Sequence, residues 1–239
     1  DLNTGGDEIL ELVEEKATTG NVYYPSRILI QFKNTDIKDV IEKKLDGSLI
    51  SASLRLFSTE HKNLNADNII EAFPLSQSWA EGDEKWSSND PTASNGATWR
   101  FRTEDTSSAW VTSSFGSGAT GSFINQNGGG VWYTGSAFRA ENAFQSSPED
   151  LDLDLDVTTI IQKFSSSYYQ DASYPTGLTN NGFIIKKTTP VEEDETGFGY
   201  LKYFAVDTNT IYPPKLTFKW DDSDYSPSSG STTLNSGDI

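Results

Sequence analysis

The sequence predicts an all-β chain, a jelly-roll β-sandwich of two antiparallel sheets with one or two short helical turns. Three observations predict it. Short β-branched and aromatic runs recur with two-residue alternation, Gly, Ser, Asn and Thr fill the stretches between them, and helix-period patterns are scarce. The 239 residues suffice for one sizeable domain, and thirteen Phe, ten Tyr and six Trp supply the apolar surface of a core.

Taken in order, "ILELVEE" alternates in part, and "RILIQF" at 27–32 sets Gln31 opposite Ile30 and Phe32. Residues 36–44 ("DIKDVIEKK") have the pattern of a turn or two of helix. An Asp46-Gly47 turn then leads into "SLISASLRLFS", with Ile50, Ala52, Leu54 and Leu56 on one face and Ser51, Ser53, Arg55 and Phe57 on the other. Further strands are expected at "NIIEAFPL", "TWRFRT", "AWVTSSF", "GVWYTG", "GFIIKKT", "YLKYFAV" and "KLTFKW". Turns are expected at Asn95-Gly96, Asn127-Gly128 and Asn181-Gly182. The expected core comprises Ile28, Ile30, Phe32, Leu54, Leu56, Trp79, Leu153, Leu155, Phe183, Phe204, Leu216 and Phe218. The sandwich is placed at 1–220, with a Ser/Gly/Asn-rich insertion at 89–147 and a polar linker or arm at 221–239.

The stretch "LDLDLDV" puts Leu151, Leu153, Leu155 and Val157 on one face of a strand and Asp152, Asp154 and Asp156 on the other. Same-face residues are roughly 6.5–7 Å apart along a strand, whereas calcium wants several oxygens at about 2.3–2.6 Å, and no Asp-rich loop supplies the rest. A wet edge that blocks aggregation is the reading preferred to a metal site. Thr159 and Gln162 stand at capping-box spacing ahead of a helical turn in which Ile160, Ile161 and Phe164 close one end of the sandwich.

A net charge of −17 argues against nucleic acid or an anionic membrane as partner and suits solubility or a basic protein surface. The chain has no Cys and no Met, which excludes disulfides and thiolate chemistry and suggests part of a longer chain. No apolar segment is long enough for a membrane span, and the acidic start lacks the pattern of a secretory signal.

Catalytic signals are sparse. His61 is the single histidine, expected in a polar loop, and neither a triad context nor a histidine-rich metal centre surrounds it. Glu81, Asp83 and Glu84 in "SWAEGDEKW" are the best carboxylates for glycoside hydrolysis, but a loop anchored by buried Trp79 and Trp86 accounts for them as well. Trp99, Trp110, Trp132 and Tyr133 are the candidate glycan or interface aromatics, with a core role weighed above a sugar platform. The glycines of "NQNGGGVWY" enter a strand rather than a helix and are expected to form a hairpin, not a phosphate cradle. Lys186 and Lys187 form a basic pair too small to offset the acidity. No catalytic residue, metal or cofactor is assigned.

The pieces "SRILIQF", "ISASLRLFS", "SWAEGDEKW", "LDVTTIIQKF", "NNGFIIKK" and "FAVDTNTIYPPKLTFKW" occur in an order that resembles DNRLRE-type domains, which are similar to carbohydrate-binding modules of jelly-roll type. The patches run from Ser26 to Trp220, while 89–147 is longer than in typical members and the family's six-letter signature is absent. The closing segment also resembles virion structural proteins of tailed bacteriophages, especially those of marine cyanobacteria. The resemblance implies a non-enzymatic component of a virion (capsid, neck or tail), packing against copies of itself and other virion proteins and touching host surface polysaccharide. The alternative it implies is a carbohydrate-binding module of an adhesin or a polysaccharide-degrading enzyme.

Overall fold

The computed structural model describes residues 3–16, 23–44, 49–62, 64, 68–86, 95–103, 108–110, 129–144, 151–165, 177–192 and 199–220. They form an antiparallel all-β fold. Its strands are β1 (Ile9–Lys16), β2 (Tyr23–Pro25), β3 (Ile28–Ile30), β4 (Leu49–Leu56), β5 (Ser58–Lys62), β6 (Asn68–Pro74), β7 (Ala140–Phe144), β8 (Leu153–Asp156), β9 (Phe183–Lys187), β10 (Gly199–Phe204) and β11 (Lys215–Trp220). The ladders run β2-β1-β10-β5, β11-β4-β8 and β3-β9-β6-β7. We call these sheets A, C and B.

Sheet B faces sheets A and C across the main core. Leu12, Leu201 and Tyr203 come from A, Leu54, Leu153 and Leu155 from C, and Ile28, Ile70, Phe183 and Ile185 from B. The stretch read as one strand at 49–58 belongs to two sheets: it leaves C at Phe57 and continues in A as β5. That passage divides one layer in two, so three ladders form where alternation alone predicts two.

Alternation does its expected work in sheet C. Leu54 lies opposite Leu155 and Leu56 opposite Leu153, all fully buried, while Asp154 and Asp156 face water. Of the expected core, Ile30, Phe32, Leu216 and Phe218 are partly buried against the main cluster, and Trp79 packs on a second one. Phe204 instead stacks on exposed Tyr212.

Helix α1 (Asn34–Lys38) runs into a wider π-helical turn, Asp39–Lys44, burying Ile37 and Ile41. Helix α2 (Thr158–Lys163) begins one residue before the expected cap, so Thr159 lies inside it. Asp156 accepts at Oδ1 from both the Thr158 N–H and Oγ1–H, at 3.0 and 2.6 Å, and ties the helix start to β8. Helix α3 (Thr189–Glu192) and strands β2, β5 and β7 were not anticipated from periodicity, because they are short or largely polar.

"TWRFRT" and "GVWYTG" do not form ladders. They contribute only the isolated bridges Phe101↔Ala109 and Leu75↔Trp132, since the Trp132 indole packs over a sheet face and the Trp99 indole lies against the Arg27 guanidinium. Ala109 of "AWVTSSF" belongs to the first bridge, and the rest of that run from residue 111, the Asp46-Gly47 and Asn127-Gly128 turns and the arm at 221–239 lie outside the described residues. The Asn181-Gly182 turn is present. Gly182 has φ +84°, and a Cβ there would stand 2.3 Å from the Ile30 carbonyl oxygen.

Candidate functional site

Strand β9 ("FIIKK") is buried on both sides. Phe183 and Ile185 enter the main core, whereas Ile184 points the other way and joins Phe73, Leu75, Trp110, Val131 and Trp132 in a second cluster. Segments from the expected insertion therefore cover the outer side of sheet B. Lys186 follows the parity of Ile184 and lies under this cover with 1% of its side chain exposed.

A buried lysine needs anionic partners. Register puts Glu71 of β6 directly opposite Lys186, and α3 brings Glu192 over it. The Lys186 ammonium lies 3.2 Å from Glu192 Oε2 and 3.7 Å from Glu71 Oε2, and also donates to the Lys187 carbonyl. Arg27, one residue before β3, clamps Glu192 from the other side. Its Nε and Nη2 donate to the two carboxylate oxygens at 3.0 and 2.7 Å, the bidentate geometry that guanidinium favours. Arg27 Nη1 donates to the Gly129 carbonyl at 2.8 Å, and the guanidinium lies 4.5 Å from the Trp99 ring centre and 5.2 Å from that of Trp132.

The ladder continues outward. Glu71 and Glu141 are cross-strand neighbours, a repulsive pairing by itself, and Arg139 bridges them with Nε 2.8 Å from Glu71 and Nη2 2.5 Å from Glu141. Charge thus alternates from Arg27 through Glu192, Lys186, Glu71 and Arg139 to Glu141. On the main-core side, Lys187 lies 3.4 Å from buried Glu14. Burial pushes both lysines below the ordinary ammonium range, and the adjacent glutamates, Glu192 and Glu14 first, pull them part of the way back.

Gly129 and Gly130 do take positive φ, +75° and +101°, but they carry the chain beneath Arg27 and Trp99 and lead to a single bridge, not a strand of a hairpin. Trp110 and Trp132 are each 4% exposed, and the Trp110 indole donates to the Thr98 carbonyl at 3.0 Å. Trp99 and Tyr133 are half-buried, with Tyr133 stacked on Phe138. Three of the four candidate aromatics, Trp99, Trp110 and Trp132, thus converge on one covered face.

The carboxylate loop serves the chain's start. Buried Asn3 donates to the Glu81 and Ala97 carbonyls at 2.8 Å each, Gly6 N–H donates to the Glu84 carbonyl, and Asp83 N–H donates to Asn95 Oδ1. Glu81 is largely exposed, and partial desolvation pushes its carboxyl up, with Asp207 adding to it. Trp79 anchors the loop by donating to the Asn181 carbonyl at 2.9 Å. Trp86, expected to be buried, is exposed, because among the described residues only its backbone N–H is held, donating to Asp7 Oδ2. His61 lies on strand β5, not in a loop, exposed at the edge of sheet A.

Of the acidic strand, Asp152 meets Arg55 at 2.9 Å and accepts from Ser58 N–H, Asp156 holds α2, and Asp154 faces water. Among the described residues no group of three or more His, Cys, Asp or Glu is placed to hold a metal ion. Sequence reading missed Arg27, Glu71, Arg139 and Glu192. The available signal was a charged residue inside an otherwise apolar strand, in "NIIEAFP" and "GFIIKK", which calls for a buried partner of opposite sign.

Compared with known proteins, the chain matches no family model, no curated protein and no solved structure.

Proposed function

We propose that the chain is a non-enzymatic structural component of a tailed-phage virion, built as a jelly-roll β-sandwich and acting through protein–protein packing. The observation that supports this most is the division of labour between its polar groups and its apolar ones. The groups with chemical potential, Lys186, Glu192 and Glu71, are committed to one another and to arginines beneath a tryptophan cover. Large apolar side chains stand outside, with Trp86, Val206, Ile211, Tyr212 and Trp220 between 42% and 76% exposed. Such a surface suits burial against neighbours. Mass spectrometry of purified particles should find this polypeptide at structural copy number, and its absence overturns the reading.

The carbohydrate-binding alternative draws on Trp86, whose exposed ring beside Asp83 and Glu84 has the make-up of a pyranose platform, whereas Trp110 and Trp132 offer no free face. A glycan array with the parent chain and Trp86→Ala separates the readings. Binding that vanishes in the variant favours the module.

A further inference from the structure

The outer face of sheet C is striped by charge. Strand β11 presents Lys215, Thr217 and Lys219 to water, β4 presents Ser51, Ser53 and Arg55, and β8 presents Asp154 and Asp156. Register aligns these columns in rows. Lys215, Arg55 and Asp154 form one row, and Thr217, Ser53 and Asp156 the next, with Lys219 and Ser51 beyond. A chain of net charge −17 thus carries a basic strand and an acidic strand on the two sides of one small face, separated by a strand that presents two serines and Arg55.

We infer that this face docks a second copy of the chain, face to face about a two-fold axis parallel to β4. The inference rests on the reading of the chain as a packing component and names the partner. Rotation about that axis exchanges left and right but keeps position along the strand. It therefore sets Lys215 of each copy against Asp154 of the other, and Lys219 near the end of the opposite acidic strand. Both stripes are satisfied in one closed contact. At the axis the two Arg55 side chains meet, each already paired with its own Asp152. Ser51, Ser53 and Thr217 are small enough to let the faces approach.

Edge-to-edge pairing is the competing geometry, and two features oppose it. An antiparallel β11–β11 pairing centred on Thr217 would set Lys215 against Lys219, like charge on like. The β8 edge is shielded by β7, whose Asn142 side chain donates to the Asp154 carbonyl at 3.3 Å. Neither Lys219 nor the Asp154 carboxylate has an ion-pair partner among the described residues, so both charges are available to a partner.

Three strands at about 4.8 Å spacing and roughly 20 Å length cover less than the 1,200–2,000 Å² of a standard interface. The contact is accordingly weak, salt-sensitive and suited to copies held at high local concentration.

Sedimentation velocity of the full chain tests it. The parent chain should dimerise at about 20 mM salt and dissociate at about 500 mM. Lys215→Glu with Lys219→Glu, and separately Asp154→Lys, should each weaken self-association by roughly 30-fold or more at low salt. An equimolar mixture of the two should recover a heterodimer, since each altered stripe then meets its opposite. Unchanged circular-dichroism melts establish that both variants are folded. A parent chain that stays monomeric at low salt overturns the inference, as does a dimer that ignores the swaps or a mixture that fails to pair. None of those results touches the presence of the chain in particles, which mass spectrometry decides separately.

Discussion

The ladder on the outer side of sheet B and the stripes on the outer side of sheet C are the same device in two settings. Each is a row of charged side chains running across neighbouring strands, alternating in sign over sheet B and passing from basic to acidic over sheet C. Over sheet B, Trp99, Trp110, Trp132 and the Gly129 turn cover the row, and Arg27 and Glu192 retain 6% and 5% side-chain exposure. Over sheet C nothing in the described chain covers Lys215, Lys219 or Asp154. Opposite charges 4 Å apart attract with about 1 kcal/mol in water and about 4 kcal/mol at the effective dielectric near a protein surface, so cover decides what the row is worth. The covered row fixes the chain's own structure, and the open row is left for a partner.

The largest expected effect breaks the covered row. Arg27→Met removes the bidentate clamp on Glu192 and the cation between the Trp99 and Trp132 rings. Lys186 stays near Glu192 but cannot supply the second pair of donors. A loss of about 3–5 kcal/mol in urea unfolding is expected, the usual consequence of stranding a buried charge. A loss below about 1 kcal/mol would place this row in the class of surface pairs and dissolve the contrast.

Gly129→Ala should come next. The residue has φ +75°, and a Cβ there would stand 2.4 Å from Arg27 Nη1 and 2.9 Å from the Trp99 ring. Backbone strain plus displacement of the clamp should cost about 1–3 kcal/mol. Near-ultraviolet circular dichroism should report the shifted Trp99 ring, and an unchanged spectrum with unchanged stability would count against the cover holding the clamp.

Lys186→Met sharpens the comparison differently, because its removal leaves each carboxylate with an arginine, Glu192 with Arg27 and Glu71 with Arg139. Stability near neutral pH should change by about 1 kcal/mol or less in either direction. Its pH dependence is more telling. Burial holds the folded lysine below its ordinary value of 10.5, so between the two values the unfolded chain binds more protons than the folded one. Stability therefore rises with pH through that window, and below the depressed value the burial cost stands in full. The parent chain should gain on Lys186→Met as pH climbs toward 10.5. A constant difference would mean the lysine titrates alike in both states.

How much of this was legible beforehand follows the same division. Two-residue alternation carries its full information where one face is dry and the other wet, which is why Leu151 to Val157 and Leu54 to Leu56 read correctly. It fails for β9, where both faces are dry and Lys186 and Lys187 look like exposed residues until their partners arrive from β1, β6 and α3. The partners on β6 and β1, Glu71 and Glu14, are 115 and more residues away along the chain, and pairing at such distance is set by register, not by composition. The aromatic insertion misled for a related reason. "TWRFRT" has strand-like spacing, yet its Trp99 ring lies against the Arg27 guanidinium, and nothing local separates a tryptophan that joins a sheet from one that lies on it.

The smallest expected effect lies on the open row. Arg55 meets Asp152 at 2.9 Å, close to the distance in the Arg27 clamp, but with 43% and 23% of the two side chains exposed. The guanidinium also rests 5.1 Å from the Phe57 ring centre, and Asp152 keeps its bond from Ser58 N–H when the arginine is gone. Arg55→Ala should therefore cost less than about 1 kcal/mol, and the cost should shrink further in about 500 mM salt, where exposed charges are screened within a few ångströms. The measurement belongs at that salt and at low protein concentration, so that self-association does not enter. A loss matching that of Arg27→Met, undiminished by salt, would mean that ion-pair distance rather than cover sets the strength of these rows.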